Sequence, residues 1–143
     1  MLKPRALTSV LAQANSDGVE STFLFKQDGT LLAHASVEPG FFYPEKTSFT
    51  HLYSAGASDP RVCSAIASNI WTVYQKNGRA SLNEDNLQFI LLDCEDGHVA
   101  IVPINTVLLC LDGSKEVGFG MMKAKCDALV NFLQEPLAQV AAS

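Results

Sequence analysis

The stretch from Arg61 to Gly78 constrains the fold most, because it is more apolar than a helix on the outside of a sheet needs to be. Pro60 suits the first helical position, Asp59 can cap the helix, and Gly78 is typical of a helix end. The apolar residues recur at helical spacing in two stripes on different faces. The first stripe contains Val62, Ala65, Ile66, Ile70 and Val73, and the second contains Cys63, Ala67, Trp71 and Tyr74.

One stripe can pack on the chain's own sheet, so the other is expected to meet another protein. We predict that the first stripe lies inside and that the second, which carries Trp71, faces a partner. Burial of Trp71 is worth about 5 kcal/mol, taking about 200 Å² at about 25 cal/mol per Å². The alternative is that both stripes are buried within one chain.

Composition excludes several classes of function. At 143 residues the chain suits one domain with a single core, over residues 1–143. A formal net charge of −5, with Lys and Arg few and scattered, argues against nucleic acid as a partner. No apolar run approaches the roughly 20 residues of a membrane helix and no lipidation signal is present, so we expect no direct membrane insertion. The 4 cysteines lie in apolar segments, where we expect reduced, buried thiols.

Turn signals and alternating patterns predict the remaining elements. Asp28-Gly29 and Asp96-Gly97 are hairpin signals between apolar runs. Pro136 is expected to stop or kink the last helix. The chain should form an α/β (α+β) sandwich, with a five-stranded antiparallel sheet, helices on both faces and the order α-ββ-α-βββ-α. We predict helices at about 4–14, 61–78 and from 117 onward, and strands at 21–27, 30–36, 87–94, 98–104 and 106–111.

The segment at about 37–58 breaks this pattern. It contains two prolines, two glycines and five aromatic residues, without a sustained period of 2 or 3.6 residues. Loops of about 20 residues inside a compact domain are uncommon and are often functional. We interpret the segment as an insertion, which either folds back on the sheet or acts as a docking arm for a partner.

Chemistry-bearing residues do not combine into an active site. Cys94 and His98 flank a hairpin turn, but a zinc site needs three or four converging ligands, and a Cys–His pair needs a group to orient the histidine. Gly118-Phe119-Gly120 precedes a helix and favours a close approach of that helix to the sheet over phosphate binding. We therefore predict no catalytic residue, no cofactor and no metal.

Three long segments of the chain resemble a known family. They are AIASNIWTVYQKNG, SLNEDNLQFILLDCEDGHVAI and EVGFGMMKAKCDALVNFLQEPLAQVAAS. Together they resemble the roadblock-type subunits of the Ragulator complex, the late endosomal and lysosomal adaptor and MAPK/mTOR activator. The match covers nearly the whole chain in order, except for about 37–53. It implies a roadblock/profilin-like fold.

The resemblance also implies a non-enzymatic scaffold with defined partners. These are a second roadblock scaffold subunit (the MEK-binding partner), a lipidated subunit that anchors the complex to the membrane, and Rag GTPases, indirectly or through their own roadblock domains. The implied location is the cytoplasmic face of late endosomes and lysosomes. The implied roles are Rag GTPase docking, mTORC1 activation by amino acids and MEK–ERK signalling.

In such proteins the central helix and the third strand pair with those of a second roadblock domain. Carried onto this chain, the resemblance assigns the interface to Ala65, Asn69, Ile70, Trp71 and Tyr74 on the helix, and to Leu87, Phe89, Ile90 and Leu91 on the strand. The alternative function is regulation of a small GTPase by a roadblock homodimer, as an exchange or activating factor. An activating factor often supplies an arginine finger to the GTPase. The arginines of this sequence are Arg5, Arg61 and Arg79, and none of them is evident as an arginine finger.

Overall fold

The computed structural model describes residues 4–36, 60–82, 88–94 and 97–142. Within these ranges the order is α-ββ-α-βββ-α, as predicted from the sequence. The elements are α1 (Pro4–Gln13), β1 (Val19–Lys26), β2 (Leu31–Ser36), α2 (Pro60–Leu82), β3 (Ile90–Cys94), β4 (Gly97–Ile104), β5 (Val107–Ser114) and α3 (Phe119–Ala142). The segment at 37–58, interpreted above as an insertion, lies outside the described residues.

The five strands form one antiparallel sheet in the order β2-β1-β5-β4-β3. Strand β5 occupies the centre, because β1 pairs with it on one side and β4 on the other. Strands β2 and β3 therefore form the two edges of the sheet as far as the described strands extend. The β3–β4 hairpin keeps a regular register from Ile90 opposite Ile101 to Cys94 opposite Gly97.

Helices cover both faces of the sheet, because successive side chains of a strand point to opposite sides. On one face α1 and α3 pack on a core that includes Leu11, Leu24, Leu111, Met122 and Leu133. On the other face α2 packs on a second core, which includes Phe23, Phe25, Ile101 and Cys110. The sheet thus separates two apolar cores, and among the described helices only α2 covers the second.

Two helix ends differ from the sequence prediction. Helix α2 continues past Gly78 to Leu82, since one glycine costs a helix only about 1 kcal/mol. Helix α3 begins at Phe119 and passes through Pro136 to Ala142. A proline inside a helix costs about 3 kcal/mol, but Leu133 and Leu137 are both buried, so packing holds the helix together on either side of Pro136.

The third strand is shorter than predicted. It begins at Ile90, whereas Gln88 and Phe89 precede it outside the ladder. Pro103 lies one residue before the end of β4, opposite Leu108 of β5. Because β3 pairs with β4 only as far as Ile101, the missing N–H of Pro103 disrupts no β3–β4 pairing.

Candidate protein–protein interface

The two apolar stripes of α2 are reversed for the most part relative to the sequence prediction, except that Tyr74 of the second stripe is exposed as expected. Cys63, Ala67 and Trp71 are buried against the sheet, and Trp71 is only 1% exposed. Val62 and Val73, predicted to be inside, are 40% and 48% exposed. The prediction of an over-apolar helix with one uncovered stripe is therefore correct, but the uncovered stripe is the other one.

Trp71 must accordingly be removed from the predicted interface residues. It packs in the second core with Phe25 and Ile101, and its indole Nε1 has no hydrogen-bond partner among the described residues. The small side chains of Cys63 and Ala67 share its face and allow the helix to approach the sheet closely. That combination of one large and two small residues is the signal that could have identified the buried stripe from the sequence.

The uncovered side of α2 forms an apolar shoulder, which we define as Val62, Ile66, Ile70 and Val73. Ile66 and Ile70 are half-buried at its base, where they pack against the second core. Ala65 and Asn69, two predicted interface residues, are exposed beside it. Tyr74, the residue that follows Val73 in α2, is 55% exposed. These residues remain available to a partner.

The β1–β2 turn fixes which way the apolar shoulder faces. A Cβ placed on Gly29 of that turn would lie 3.3 Å from Ala65 Cα and 3.1 Å from Ser68 Oγ. Ser68 lies on the flank of α2 opposite Ile66 and Ile70, since residues two positions apart are about 200° apart around a helix. The apolar shoulder is therefore directed away from the β1–β2 edge of the sheet and toward the β3 edge.

Strand β3 is the outermost described strand on its side of the sheet. Among the described strands it pairs only with β4, so alternate N–H and C=O groups of Ile90–Cys94 point away from the sheet. Ile90 is buried on the α2 face, while Leu91 on the other face is exposed. Leu92 is half-buried beside α2 and was not among the predicted interface residues. Leu87, which was predicted, lies outside the described residues.

Phe89 connects the start of β3 to the helix on the opposite face. It packs against the first core, and Lys123 Nζ lies 5.8 Å from the centre of its ring. The chain's own helix α3 lies against one side of the Phe89 ring. Phe89 is therefore half-buried and less available to a partner than the exposed side chain of Leu91. The apolar part of the free edge is thus Leu91 and Leu92.

Charged groups gather at the turn end of β3. Asp93 Oδ1 lies 3.2 Å from His98 Nε2 and 3.6 Å from Lys115 Nζ. His98 Nδ1 donates to the Val117 carbonyl at 2.6 Å, and its ring stacks at a tilt on Phe119, with centroids 4.3 Å apart. These contacts tie the end of the edge strand to the start of α3.

The structure separates the residues that could have formed a chemical site. Cys94 lies in the second core under α2, whereas His98 faces α3 across the sheet. Burial raises the pKa of Cys94, and the nearby carboxylates of Asp112 and Asp93 raise it further, which disfavours a nucleophilic thiolate. The described residues contain no group of three or more His, Cys, Asp or Glu side chains suited to a metal ion.

Two other sequence expectations have clear outcomes. All four cysteines are buried free thiols, as predicted. The expected close approach at Gly118 and Gly120 is wrong, because a Cβ on either glycine would meet no atom within 4 Å. Within the described part of the chain, no helix is long and apolar enough to cross a lipid bilayer.

Solved structures share this arrangement of helices and strands. MglB of Myxococcus xanthus superposes with a TM-score of 0.72 at 10% identity, over 93% of this chain and 88% of that chain. A Roadblock/LC7 domain from Streptomyces avermitilis superposes with a TM-score of 0.70 at 14% identity, over 92% of this chain and 95% of that chain.

The chain has the roadblock/LC7 fold. The roadblock fold expected from the sequence is therefore confirmed. A curated relative adds sequence similarity. The chain is 28% identical to the Ragulator complex protein LAMTOR2 homolog of Caenorhabditis elegans, over 98% of this chain and 96% of the relative. The resemblance to a roadblock-type Ragulator subunit is confirmed. No family model matches the chain.

Proposed function

We propose that this protein is a non-enzymatic scaffold subunit of a Ragulator complex, and that it works by pairing with a second roadblock domain. The observation that carries the proposal is the apolar shoulder of α2, which faces the same side of the molecule as the unpaired edge of β3. The similarity to a LAMTOR2 homolog along nearly the whole chain supports the choice of complex.

Both surfaces favour pairing with a protein that has the same architecture. An unpaired strand edge takes up another strand through main-chain hydrogen bonds, which extend the sheet. A second helix beside α2 would remove Val62 and Val73 from water at the same time. A roadblock domain presents a strand and a helix together, so one partner can cover both surfaces and approach the roughly 1,600 Å² of a stable interface.

The wider assignment follows from this pairing and from the sequence resemblance. The partner is the MEK-binding roadblock subunit, and a lipidated subunit anchors the pair to late endosomes and lysosomes. The pair supports docking of Rag GTPases, activation of mTORC1 by amino acids and MEK–ERK signalling. The lipidated subunit supplies the membrane contact in this proposal.

The experiment that tests the pairing introduces a charge into the apolar shoulder. Val73→Glu should weaken binding to the second roadblock subunit at least tenfold, because the interface would bury an unpaired carboxylate. Binding is measured by co-purification and by titration calorimetry on the full chains. Phe132→Glu is the matched control, since Phe132 is 62% exposed on α3, across the sheet from α2.

Equal binding by Val73→Glu and the unsubstituted chain would overturn the proposed pairing. Equal losses in Val73→Glu and Phe132→Glu would also overturn it, because the effect would then not depend on the α2 face. Membership of the complex is tested separately, by capture of the lipidated subunit with the tagged full-length chain. A chain that binds the second roadblock subunit but never the lipidated one would overturn the Ragulator assignment.

A further inference from the structure

Four residues along α2 follow the spacing of a helix–helix seam. Val62, Ile66, Asn69 and Val73 are separated by four, three and four positions, which is the spacing of the contact positions in a coiled coil. All four are exposed or half-buried. Three are aliphatic, and Asn69 is the polar exception. Its side-chain amide makes no hydrogen bond within the described residues.

The geometry of the proposed pairing decides what Asn69 would face. A two-fold axis that joins the free edges of two β3 strands runs them antiparallel, and it runs the two α2 helices antiparallel as well. When two copies of this seam are aligned antiparallel about its centre, Val62 meets Val73 of the other copy. Asn69 then meets Ile66 of the other copy, and this mismatch occurs twice.

We propose that Asn69 is a specificity-determining residue, which disfavours a second copy of this chain and selects a roadblock partner with a hydrogen-bonding side chain opposite it. This inference rests on the proposed pairing through α2 and β3. A buried amide without a partner loses its hydrogen bonds to water and gains none, whereas an amide or hydroxyl across the interface restores them. A single polar residue in an otherwise aliphatic seam is a known way to fix register and partner choice.

The inference makes opposite predictions for the two kinds of pairing. Asn69→Leu should tighten self-association at least tenfold, because the two mismatches become aliphatic contacts. The same substitution should weaken binding to the second roadblock subunit at least fivefold, because the polar side chain of the partner would no longer have the Asn69 amide as its hydrogen-bond partner. Sedimentation equilibrium of the full chain measures the first, and titration calorimetry with the second roadblock subunit measures the second.

Thr72→Leu is the control for added surface hydrophobicity. Thr72 is exposed on α2 but lies off the seam, and within the described part of the chain its hydroxyl donates to the Ser68 carbonyl of its own helix. It should change neither equilibrium. Circular dichroism establishes that both variants are folded.

The outcomes separate this inference from the proposed function. If Asn69→Leu leaves self-association unchanged while Val73→Glu still disrupts partner binding, the role of Asn69 is wrong and the pairing stands. If Asn69→Leu binds the second subunit as tightly as the unsubstituted chain, the selective role is also wrong. If Val73→Glu has no effect on partner binding, both proposals fall.

Discussion

Gly29 in the β1–β2 turn lies directly against Ala65 of α2. A Cβ built on Gly29 would come within 3.3 Å of Ala65 Cα, and Gly29 has a φ of +97°. Asp28 Oδ1 accepts a 2.9 Å hydrogen bond from the Thr30 amide and holds the turn in shape. This contact seats one flank of α2 on the β1–β2 hairpin and leaves the apolar shoulder facing the β3 edge.

Gly29→Ala should destabilise the fold by roughly 1–3 kcal/mol, because a side chain at positive φ is strained and backbone atoms of α2 are in the way. Thermal and urea unfolding measure the loss. Gly120→Ala is the matched control: Gly120 lies in α3 with no atom within 4 Å of a new Cβ, so alanine should be neutral or stabilise by up to about 1 kcal/mol. Equal stability of the two variants would contradict the contact described above.

Trp71→Ala should destabilise the isolated chain by about 3–5 kcal/mol, because it opens a cavity in the second core. Trp71→Phe should cost less, since the indole Nε1 makes no hydrogen bond to any residue that the structure describes. This differs from the outcome expected from the sequence, in which Trp71 faces a partner. Urea unfolding of the unpaired chain distinguishes the two, because a surface tryptophan would leave the unfolding midpoint almost unchanged.

Lys125→Met should cost about 1.5–3 kcal/mol of unfolding free energy, the usual range for hydrogen bonds to a charged group. Lys125 Nζ donates to the Ala14 carbonyl at 3.0 Å and to Ser16 Oγ at 2.6 Å, and so links α3 to the end of α1. Lys123→Met is the control. The Lys123 side chain is 59% exposed, against 14% for Lys125, and its ion pair with Asp127 is worth about 0.5 kcal/mol or less. Similar losses in both would show that Lys125 has no special structural role.

The buried thiols should resist alkylation in the native protein. Burial raises the pKa of Cys126 from 9.0 to about 12, and burial also raises the pKa of Cys110 well above its usual value. At pH 8 both are therefore protonated and shielded, so iodoacetamide should label them only after unfolding. Mass spectrometry of native and urea-treated chain measures this. Labelling of Cys126 in the folded chain within minutes would contradict its burial.

The raised pKa of Cys126 also gives a pH dependence of stability. The unfolded thiol loses its proton near pH 9 and the folded one near pH 12, so the folded state retains a proton that the unfolded state releases. The contribution of the buried Cys126 thiol to the free energy of unfolding is complete below about pH 9, and it is lost as the pH rises toward 12. The difference in unfolding free energy between Cys126→Ala and the unsubstituted chain should therefore narrow over that interval, and an unchanged difference would contradict the assignment.

Local sequence signals predicted much of the fold. The Asp28-Gly29 turn, the apolar run in β4 and the helical spacing in α3 each depend on residues close in the chain, and each element formed where expected. The ends of elements were less predictable. Gly78 and Pro136 are helix breakers by local preference, but the helices continue through both, and for Pro136 the flanking Leu133 and Leu137 supply packing that local preference does not include.

The candidate interface was predictable only in part. The excess of apolar surface on α2 is a property of the sequence, and so is its match to a roadblock-type subunit. The sequence does not determine which stripe stays uncovered, because helical spacing gives the angle between the two faces of α2 but not the direction in which the sheet lies. Trp71 and Val73 exchange roles between the two readings for that reason.

The sequence by itself determined the order of elements, the surplus of apolar residues on α2 and the family that the chain resembles, since these follow from nearest-neighbour preferences and from residue identity. Only the tertiary structure decided that Trp71 is buried, that β3 is an edge strand and that the apolar shoulder faces that edge. Each of those depends on contacts between residues far apart in the chain, such as Gly29 with Ala65, whose geometry is set when the sheet and helix pack together.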